Sequence, residues 1–154
     1  DIKNGTCTYK TGDLLKLPYD DRSFDIVTCF RLVPHCPEWR MLISELCRVS
    51  KQAVIFDYPT TQSINALTPL FFAWKKKLEG NTRTYDLFSH SQIAKALIDS
   101  SYPNIARKGE FFWPMVLHRK LKSPALSTLL EMPFALTRLS DYFGSPVIVC
   151  ATRV

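Results

Sequence analysis

The sequence contains few glycines and no long hydrophobic run. Its 154 residues include five glycines, and none of them forms the G-x-G-x-x-G turn that lets a backbone approach a nucleotide cofactor closely. No apolar stretch approaches the ~20 residues that a helix needs to cross a bilayer, and no secretory signal pattern is visible. These absences predict a soluble, cytoplasmic protein whose own residues supply no glycine-rich cofactor loop.

The cysteines form no disulfide or metal-binding pattern. Their number is odd, no C-x-x-C pair occurs, and no histidine stands at zinc-finger spacing from any of them. The five are Cys7, Cys29, Cys36, Cys47 and Cys150. We therefore expect small buried thiols in a reducing compartment, and no metal site.

The chain is basic, with a formal net charge of +6. Its lysines and arginines are scattered, and the longest basic run is Lys75–Lys77, directly after the aromatic stretch FFAW. Such a mixture can stack on bases, but at helical spacing it more often covers a core or faces a membrane. We expect no nucleic-acid partner and retain peripheral membrane contact as an alternative.

The first part of the chain has the pattern of a strand–helix–strand unit. Apolar, β-branched strands are predicted over Phe24–Phe30 and Ala53–Phe56, both buried on two faces. Between them, apolar residues at helical spacing from Trp39 predict an amphipathic helix that ends near Ser50. This order makes the centre of the sheet parallel. Upstream, alternation predicts a short strand over Thr6–Thr11, followed by a loop.

The second part of the chain adds helices and two further strands. Ser89, with Gln92 three residues later, is a capping box, and the buried face of the helix it starts is predicted to contain Ile93, Leu97 and Ile98. The other predicted elements are a kinked helix over Ile64–Leu78, a strand over Ile105–Trp113, helical segments broken at Pro124 and Pro133, and a final strand over Pro146–Ala151. Together the elements predict one α/β domain.

Five short pieces of sequence follow one another in the first third of the chain. They are Gly12-Asp13-Leu14-Leu15, Leu17-Pro18-Tyr19, Ser23-Phe24-Asp25-Ile26-Val27, His35-Cys36-Pro37-Glu38 and Glu45-Leu46-Cys47-Arg48-Val49-Ser50-Lys51. A strand with an acidic residue at its tip, Asp57, comes after them. In this order the pieces closely resemble the S-adenosylmethionine-dependent methyltransferases of class I.

The resemblance implies a Rossmann-like sheet with helices on both faces. In that family seven strands lie in the order 3-2-1-4-5-7-6, and the cofactor crosses the carboxyl ends of the central strands. The chain has counterparts from the third strand onward, including a C-terminal antiparallel hairpin. The first strand, its glycine-rich turn and the second strand have none. We therefore expect a single domain over residues 1–154 that is incomplete at its N-terminus.

The resemblance also implies cofactor contacts at the carboxyl ends of the strands. By position in the family pattern, Asp13 and the backbone of Leu14 would bind the adenine of S-adenosylmethionine, and Cys29 and Phe30 would contact its methionyl part. Two of these residues have ordinary structural alternatives. A carboxylate such as that of Asp13 is a common turn cap, and Cys29 is the kind of residue that packs a core.

Further residues near the carboxyl ends of the strands are candidates for the chemistry. His35 and Asp57 are the catalytic candidates, although a lone histidine is more often a satisfied structural residue. The substrate candidates are Arg31, Tyr58 and Arg83. An arginine can bind an anionic group of a substrate in bidentate fashion, and the alternative for both arginines is that they simply face water.

The sequence thus predicts methyl transfer from S-adenosylmethionine to a small or lipid-like acceptor in the complete fold, with little or no activity from this chain alone. The alternative is a non-catalytic, methyltransferase-like module that binds a partner, or a second copy as a homodimer, through an exposed sheet edge. A basic peripheral membrane protein is the third interpretation.

Overall fold

A computed structural model describes residues 8–63, 86–113, 117–118 and 121–153. Its sheet has four strands, β1 (Phe24–Cys29), β2 (Ser50–Tyr58), β3 (Asn104–Gly109) and β4 (Val147–Thr152). They lie in the order β1-β2-β4-β3. β1 and β2 are parallel, and β4 is antiparallel to both of its neighbours. The predicted parallel centre and C-terminal antiparallel pair are therefore confirmed.

The strand order reproduces the second half of the order that the resemblance implies. With β1 counted as the fourth strand and β2 as the fifth, the observed order reads 4-5-7-6. The exchange of the last two strands carries the information, because consecutive strands are usually neighbours in a sheet. Here the last strand lies between β2 and β3, as the resemblance implies.

The described helices follow the predicted order. They are α1 (Trp39–Val49), α2 (His90–Asp99), α3 (Pro124–Leu136) and α4 (Leu139–Phe143), preceded by a 3-10 turn over Val33–His35. The capping box at the start of α2 is present, because Ser89 Oγ accepts from the Gln92 backbone N–H and Gln92 Oε1 accepts from that of Ser89 at 2.9 Å. Both predicted amphipathic helices are confirmed.

The core lies between the sheet and helices α1 and α2. Its fully or almost fully buried side chains include Leu42, Ile43, Leu46, Val54, Phe56, Ile93, Leu97, Val147, Val149 and Ala151. Tyr102, just after α2, is also fully buried, and its hydroxyl donates to the Ser50 carbonyl at 2.8 Å. That bond fixes the end of α2 to the junction between α1 and β2.

The prediction that β1 is buried on both faces is wrong. Phe24 is 40% exposed and Ile26 is 55% exposed, and only Cys29 at the end of the strand is buried. Among the described residues β1 pairs with β2 alone, so it is an edge strand. A run of apolar residues on both faces is typical of strands with neighbours on each side. The sequence of β1 thus suits a covered strand, while its position is exposed.

The strand predicted over Thr6–Thr11 is not formed in its described part, residues 8–11. Tyr9 is 94% exposed, and the first pairing after it is an isolated bridge between Asp13 and Lys16. A strand must pair its backbone groups with a neighbour, and no described strand lies against this segment. The loop predicted after it, Leu14–Arg22, is confirmed.

Two details of the helices differ from prediction. Pro133 lies inside the last turn of α3 and does not break the helix, and the Thr137 hydroxyl and backbone N–H both donate to its carbonyl. Ile98 was expected in the core but is 55% exposed. The buried arc of α2 is narrow, and Ile98 lies one residue beyond it.

Several predictions fall outside the described residues. These are the helical stripe over 64–78, the basic run Lys75–Lys77 and the substrate candidate Arg83. Within the part that the structure describes, no helix has the length and apolar character to cross a membrane.

Candidate functional site

The carboxyl ends of β1 and β2 meet at one edge of the sheet. The strands are parallel, and Cys29 pairs in register with Phe56, so the residues after β1 lie beside the tip of β2. The contact is direct: the Arg31 backbone N–H donates to Asp57 Oδ1 at 2.6 Å. Arg31 has a left-handed backbone with φ of 57°. The structure therefore brings Cys29, Arg31 and Asp57 together as the resemblance implies, and we call this edge the rim.

Cys29 is a neutral, packed thiol. Burial, followed by the nearby charge of Asp57 and by Cys36, raises the pKa of its thiol from 9.0 to about 11. A thiol with that pKa is protonated at neutral pH and is a poor nucleophile. Phe30 differs, since it is 53% exposed and presents an aromatic ring at the rim. The predicted cofactor contacts of both residues stay predictions.

Asp13 caps its own turn. Its Oδ1 accepts the Leu15 backbone N–H at 2.9 Å, and its carbonyl accepts that of Lys16 at 3.2 Å. This is the structural alternative that the sequence left open for Asp13. Leu14, at the top of the turn, is 47% exposed. The adenine contact of Asp13 and Leu14 stays a prediction.

Tyr58 and His90 form a hydrogen-bonded pair next to the rim. The Tyr58 hydroxyl lies 2.8 Å from His90 Nδ1, and the Tyr58 side chain is fully buried. Burial raises the pKa of Tyr58 to about 12, although Arg107 opposes that shift. Burial, followed by the charge of Arg107, lowers the pKa of His90. Both partners are therefore neutral near pH 7, and one proton lies between the hydroxyl and the ring nitrogen.

The other predicted site residues are less closely grouped. His35 is exposed in the 3-10 turn, where its backbone N–H donates to the Leu32 carbonyl at 2.9 Å. Asp57 is half-buried and already bonded to the Arg31 backbone. Arg83 lies outside the described residues. In the described part of the chain, no group of three or more His, Cys, Asp or Glu residues is arranged to hold a metal ion.

The sequence analysis did not predict the structural role of Arg48, which holds a loop through several hydrogen bonds. Its guanidinium donates to Glu45 Oε1 and Asp21 Oδ1, each at 2.7 Å, and to the carbonyls of Tyr19 and Leu17 at 2.9 and 3.1 Å. Hydrogen bonds to Glu45 and then Asp21 raise the pKa of Arg48. The bond to Arg48 lowers the pKa of Glu45. The E-x-x-R spacing of helical neighbours was the available signal.

This cluster anchors the loop before β1 to the end of α1. Glu45 also accepts the Leu17 backbone N–H at 2.7 Å, and the Arg22 backbone N–H donates to the Arg48 carbonyl at 2.9 Å. An open cleft of about 600 Å³ beside the cluster is lined by Lys16 to Asp20 and is the larger of the two main described clefts. It lies at the amino ends of the strands, so it is separate from the rim where the chemistry is expected.

The fold and rim together define the class: an α/β protein with the 4-5-7-6 half of a methyltransferase sheet. Residues 2–56 match a family model described as a methyltransferase domain. No curated protein matches the chain. This match supports the resemblance to class I S-adenosylmethionine-dependent methyltransferases over about the first third of the chain.

Solved structures show the same fold. A SAM-dependent methyltransferase of Thermotoga maritima superposes with a TM-score of 0.63 at 14% identity, over 93% of this chain and 62% of that one. Magnesium protoporphyrin IX methyltransferase of Synechocystis, solved with bound SAH, has a TM-score of 0.58 at 18% identity. The match covers 96% of this chain and 51% of that one. A SAM-dependent methyltransferase of Methanosarcina mazei has a TM-score of 0.58 at 13% identity. The match covers 97% of this chain and 68% of that one. The chain thus spans about half to two thirds of these relatives.

Proposed function

We propose that this chain forms one half of an S-adenosylmethionine-dependent methyltransferase fold. In the complete fold it transfers a methyl group to a small or lipid-like acceptor. The observation that carries the proposal is the strand order β1-β2-β4-β3, with the parallel pair ending at the rim. In open α/β sheets ligands bind outside the carboxyl ends of the strands. The relatives with this fold are named as SAM-dependent methyltransferases, which supports the same cofactor here.

The rim residues fit one side of such a cofactor. Phe30 presents an exposed aromatic ring, and Asp57 places a half-buried carboxylate beside it. Both groups suit a cationic sulfonium, because ring faces and carboxylates attract positive charge. The Arg31 backbone, held by Asp57 at 2.6 Å, keeps the loop between them in place.

When bound, S-adenosylmethionine supplies a methyl group that is already electrophilic, so alignment of the acceptor is the main demand on the protein. Asp57 orients the rim loop through its bond to Arg31. Exposed His35 is the proposed acceptor of a proton from the methylated group. Tyr58, next to Asp57 in β2, is held in place by its hydrogen bond to His90.

Calorimetric titration with S-adenosylhomocysteine tests the proposal. We expect weak but saturable binding by the chain, with a Kd of about 1 mM, because only one side of the site is present. Phe30→Ala should abolish it. Phe24→Ala is the matched control, since Phe24 is also an exposed phenylalanine of this region but stands at the opposite end of β1. No saturable binding by the unaltered chain would contradict the proposal.

A second candidate is a non-catalytic module that pairs through β1. The exposed apolar residues Phe24 and Ile26 on an unpaired edge favour it. Light scattering after size exclusion measures the mass: this candidate predicts a dimer that Ile26→Lys converts to a monomer. A monomeric unaltered chain would exclude homodimerisation.

The exposed apolar stripe on α3 supports a lipid-like acceptor or peripheral membrane contact. Leu126, Leu129, Met132 and Leu136 recur at helical spacing, and each is at least 48% exposed. Flotation with anionic vesicles tests contact with lipid, and Leu129→Glu should abolish recruitment. We propose a reducing, cytoplasmic location because the described cysteines are free thiols.

A further inference from the structure

A second cleft lies at the end of the sheet opposite the rim. Its volume is about 490 Å³, and it is lined by Arg22, Ile98, Ser101, Pro103 and Arg153. Arg153 follows β4, and its backbone N–H donates to the Gln52 carbonyl at 3.2 Å, at the start of β2. The rim is at the other end of β2. Asp57 lies five residues after Gln52 along β2, which is about 17 Å at ~3.3 Å per residue.

The Arg153 guanidinium has an unsatisfied donor. Its Nη1 atom is buried and has no hydrogen-bond partner. The guanidinium stacks on the Tyr102 ring, 5.4 Å from the ring centroid, and forms no ion pair with any described residue. Stacking fixes the plane of the group but satisfies none of its N–H donors. A buried donor without an acceptor is costly, more so when it is charged, and no described carboxylate offsets the charge of this group.

Arg22 supplies a second unpaired cation to the same cleft. Its backbone has φ of 56°, and its N–H is bonded to the Arg48 carbonyl at 2.9 Å, so the base of the side chain is held in place. Its guanidinium pairs with no carboxylate in the described ranges. By contrast, Arg48 and Arg138 each bond a carboxylate. The lining of the cleft therefore carries two positive charges and no acidic side chain.

We propose that this cleft binds a phosphate group, carried by a small molecule or by a lipid headgroup. Guanidinium groups bond phosphate oxygens in bidentate fashion, and two of them suit a dianion. The bound phosphate neutralises the guanidinium charges of Arg153 and Arg22, which both line the cleft. Ile98, which is 55% exposed, and Pro103 provide an apolar surface for the rest of the ligand. The site is independent of the rim, and its test does not depend on methyl transfer.

Titration of the full chain with inorganic phosphate tests the proposal, with chloride at equal ionic strength as the blank. Saturable binding is expected, together with a rise in Tm, because a ligand that binds only the folded state stabilises it. Arg153→Gln and Arg22→Gln should each weaken binding at least about tenfold, which is ~1.4 kcal/mol. Arg138→Gln is the matched control, since it removes the same charge from a side chain that is 81% exposed.

The outcomes separate the sources of the phosphate. Recruitment to phosphatidic acid vesicles that Arg153→Gln abolishes identifies a lipid headgroup, while binding of glycerol phosphate without vesicle recruitment identifies a small molecule. Should Arg153→Gln fail to fold, Arg22→Gln decides, because the Arg22 side chain belongs to an exposed loop. The proposal is overturned if the unaltered chain shows no saturable binding up to about 20 mM phosphate. It is also overturned if Arg138→Gln loses as much affinity as the two cleft variants.

Discussion

The pairing of Tyr58 with His90 permits a quantitative prediction. Tyr58→Phe removes one hydroxyl and leaves the fully buried ring in place. The 2.8 Å bond to His90 Nδ1 is lost, and the nitrogen of this half-buried histidine is left without its partner. A neutral hydrogen bond contributes about 1 kcal/mol, and an unsatisfied, partly buried acceptor raises the cost, so we expect a loss of about 1–2 kcal/mol. In a chain of this length that lowers the Tm by about 2–8 °C.

Thermal and urea unfolding measure this loss, and a matched variant controls for the change of residue type. Tyr142→Phe makes the same substitution at a tyrosine that is 72% exposed and should change the free energy of unfolding by less than about 0.5 kcal/mol. In a His90→Ala background, Tyr58→Phe should have little further effect, since the partner is already absent. Equal effects of the two tyrosine variants, or full additivity with His90→Ala, would refute the pairing.

Three further predictions follow from other contacts. Arg48→Met should speed hydrogen exchange at the Leu17 amide, since the clamp that holds its loop is lost, and unchanged exchange would contradict the clamp. Because the pKa of His90 is lowered from 6.5 in the fold, the unfolded chain binds more protons near that value, and the free energy of unfolding should fall as pH drops through 6.5. In urea titrations at a series of pH values, His90→Gln should make the free energy of unfolding depend less on pH, and an unchanged pH dependence would contradict this prediction. Gly109→Ala would place a Cβ 2.2 Å from the Ser140 carbonyl oxygen, so calorimetry should show a loss of about 1–3 kcal/mol, and no loss would argue against this close approach.

Local patterns in the sequence predicted the elements that are stabilised locally. The capping box at Ser89 and the apolar stripe from Trp39 fixed the starts of two helices, because both signals lie within one or two turns of the chain. Burial was harder to predict. Ile26 reads as a core residue, yet it is exposed because burial depends on which strand lies beside β1. Neighbours in a sheet are set by the whole fold, and single-strand periodicity does not report them.

In the candidate site, too, local features were predictable from the sequence and packing contacts were not. The rim was predictable because parallel strands bring their carboxyl ends to one edge, and Asp57 follows a recognisable strand. The contact of Tyr58 with His90 joins residues 32 apart, and no pattern of spacing links them. The environment of Arg153 was equally unpredictable, since its contact with Tyr102 and its unpartnered Nη1 depend on how β4 packs. Such contacts follow from packing, which a single sequence does not state.

The exposed strand β1 connects the two proposed functions through one physical cause. Phe24 and Ile26 are apolar on a sheet edge, and such an edge also carries unpaired backbone groups. Each Å² of apolar surface covered contributes about 25 cal/mol, so a strand that covers Phe24 and Ile26 is stabilised by their burial. If that strand comes from the rest of a methyltransferase fold, it completes the cofactor side of the rim next to Phe30. If it comes from a second copy of this chain, it closes the edge without supplying that side. In a dimeric chain, Ile26→Lys should therefore lower the mass in solution to that of the monomer and leave the weak binding of S-adenosylhomocysteine unchanged.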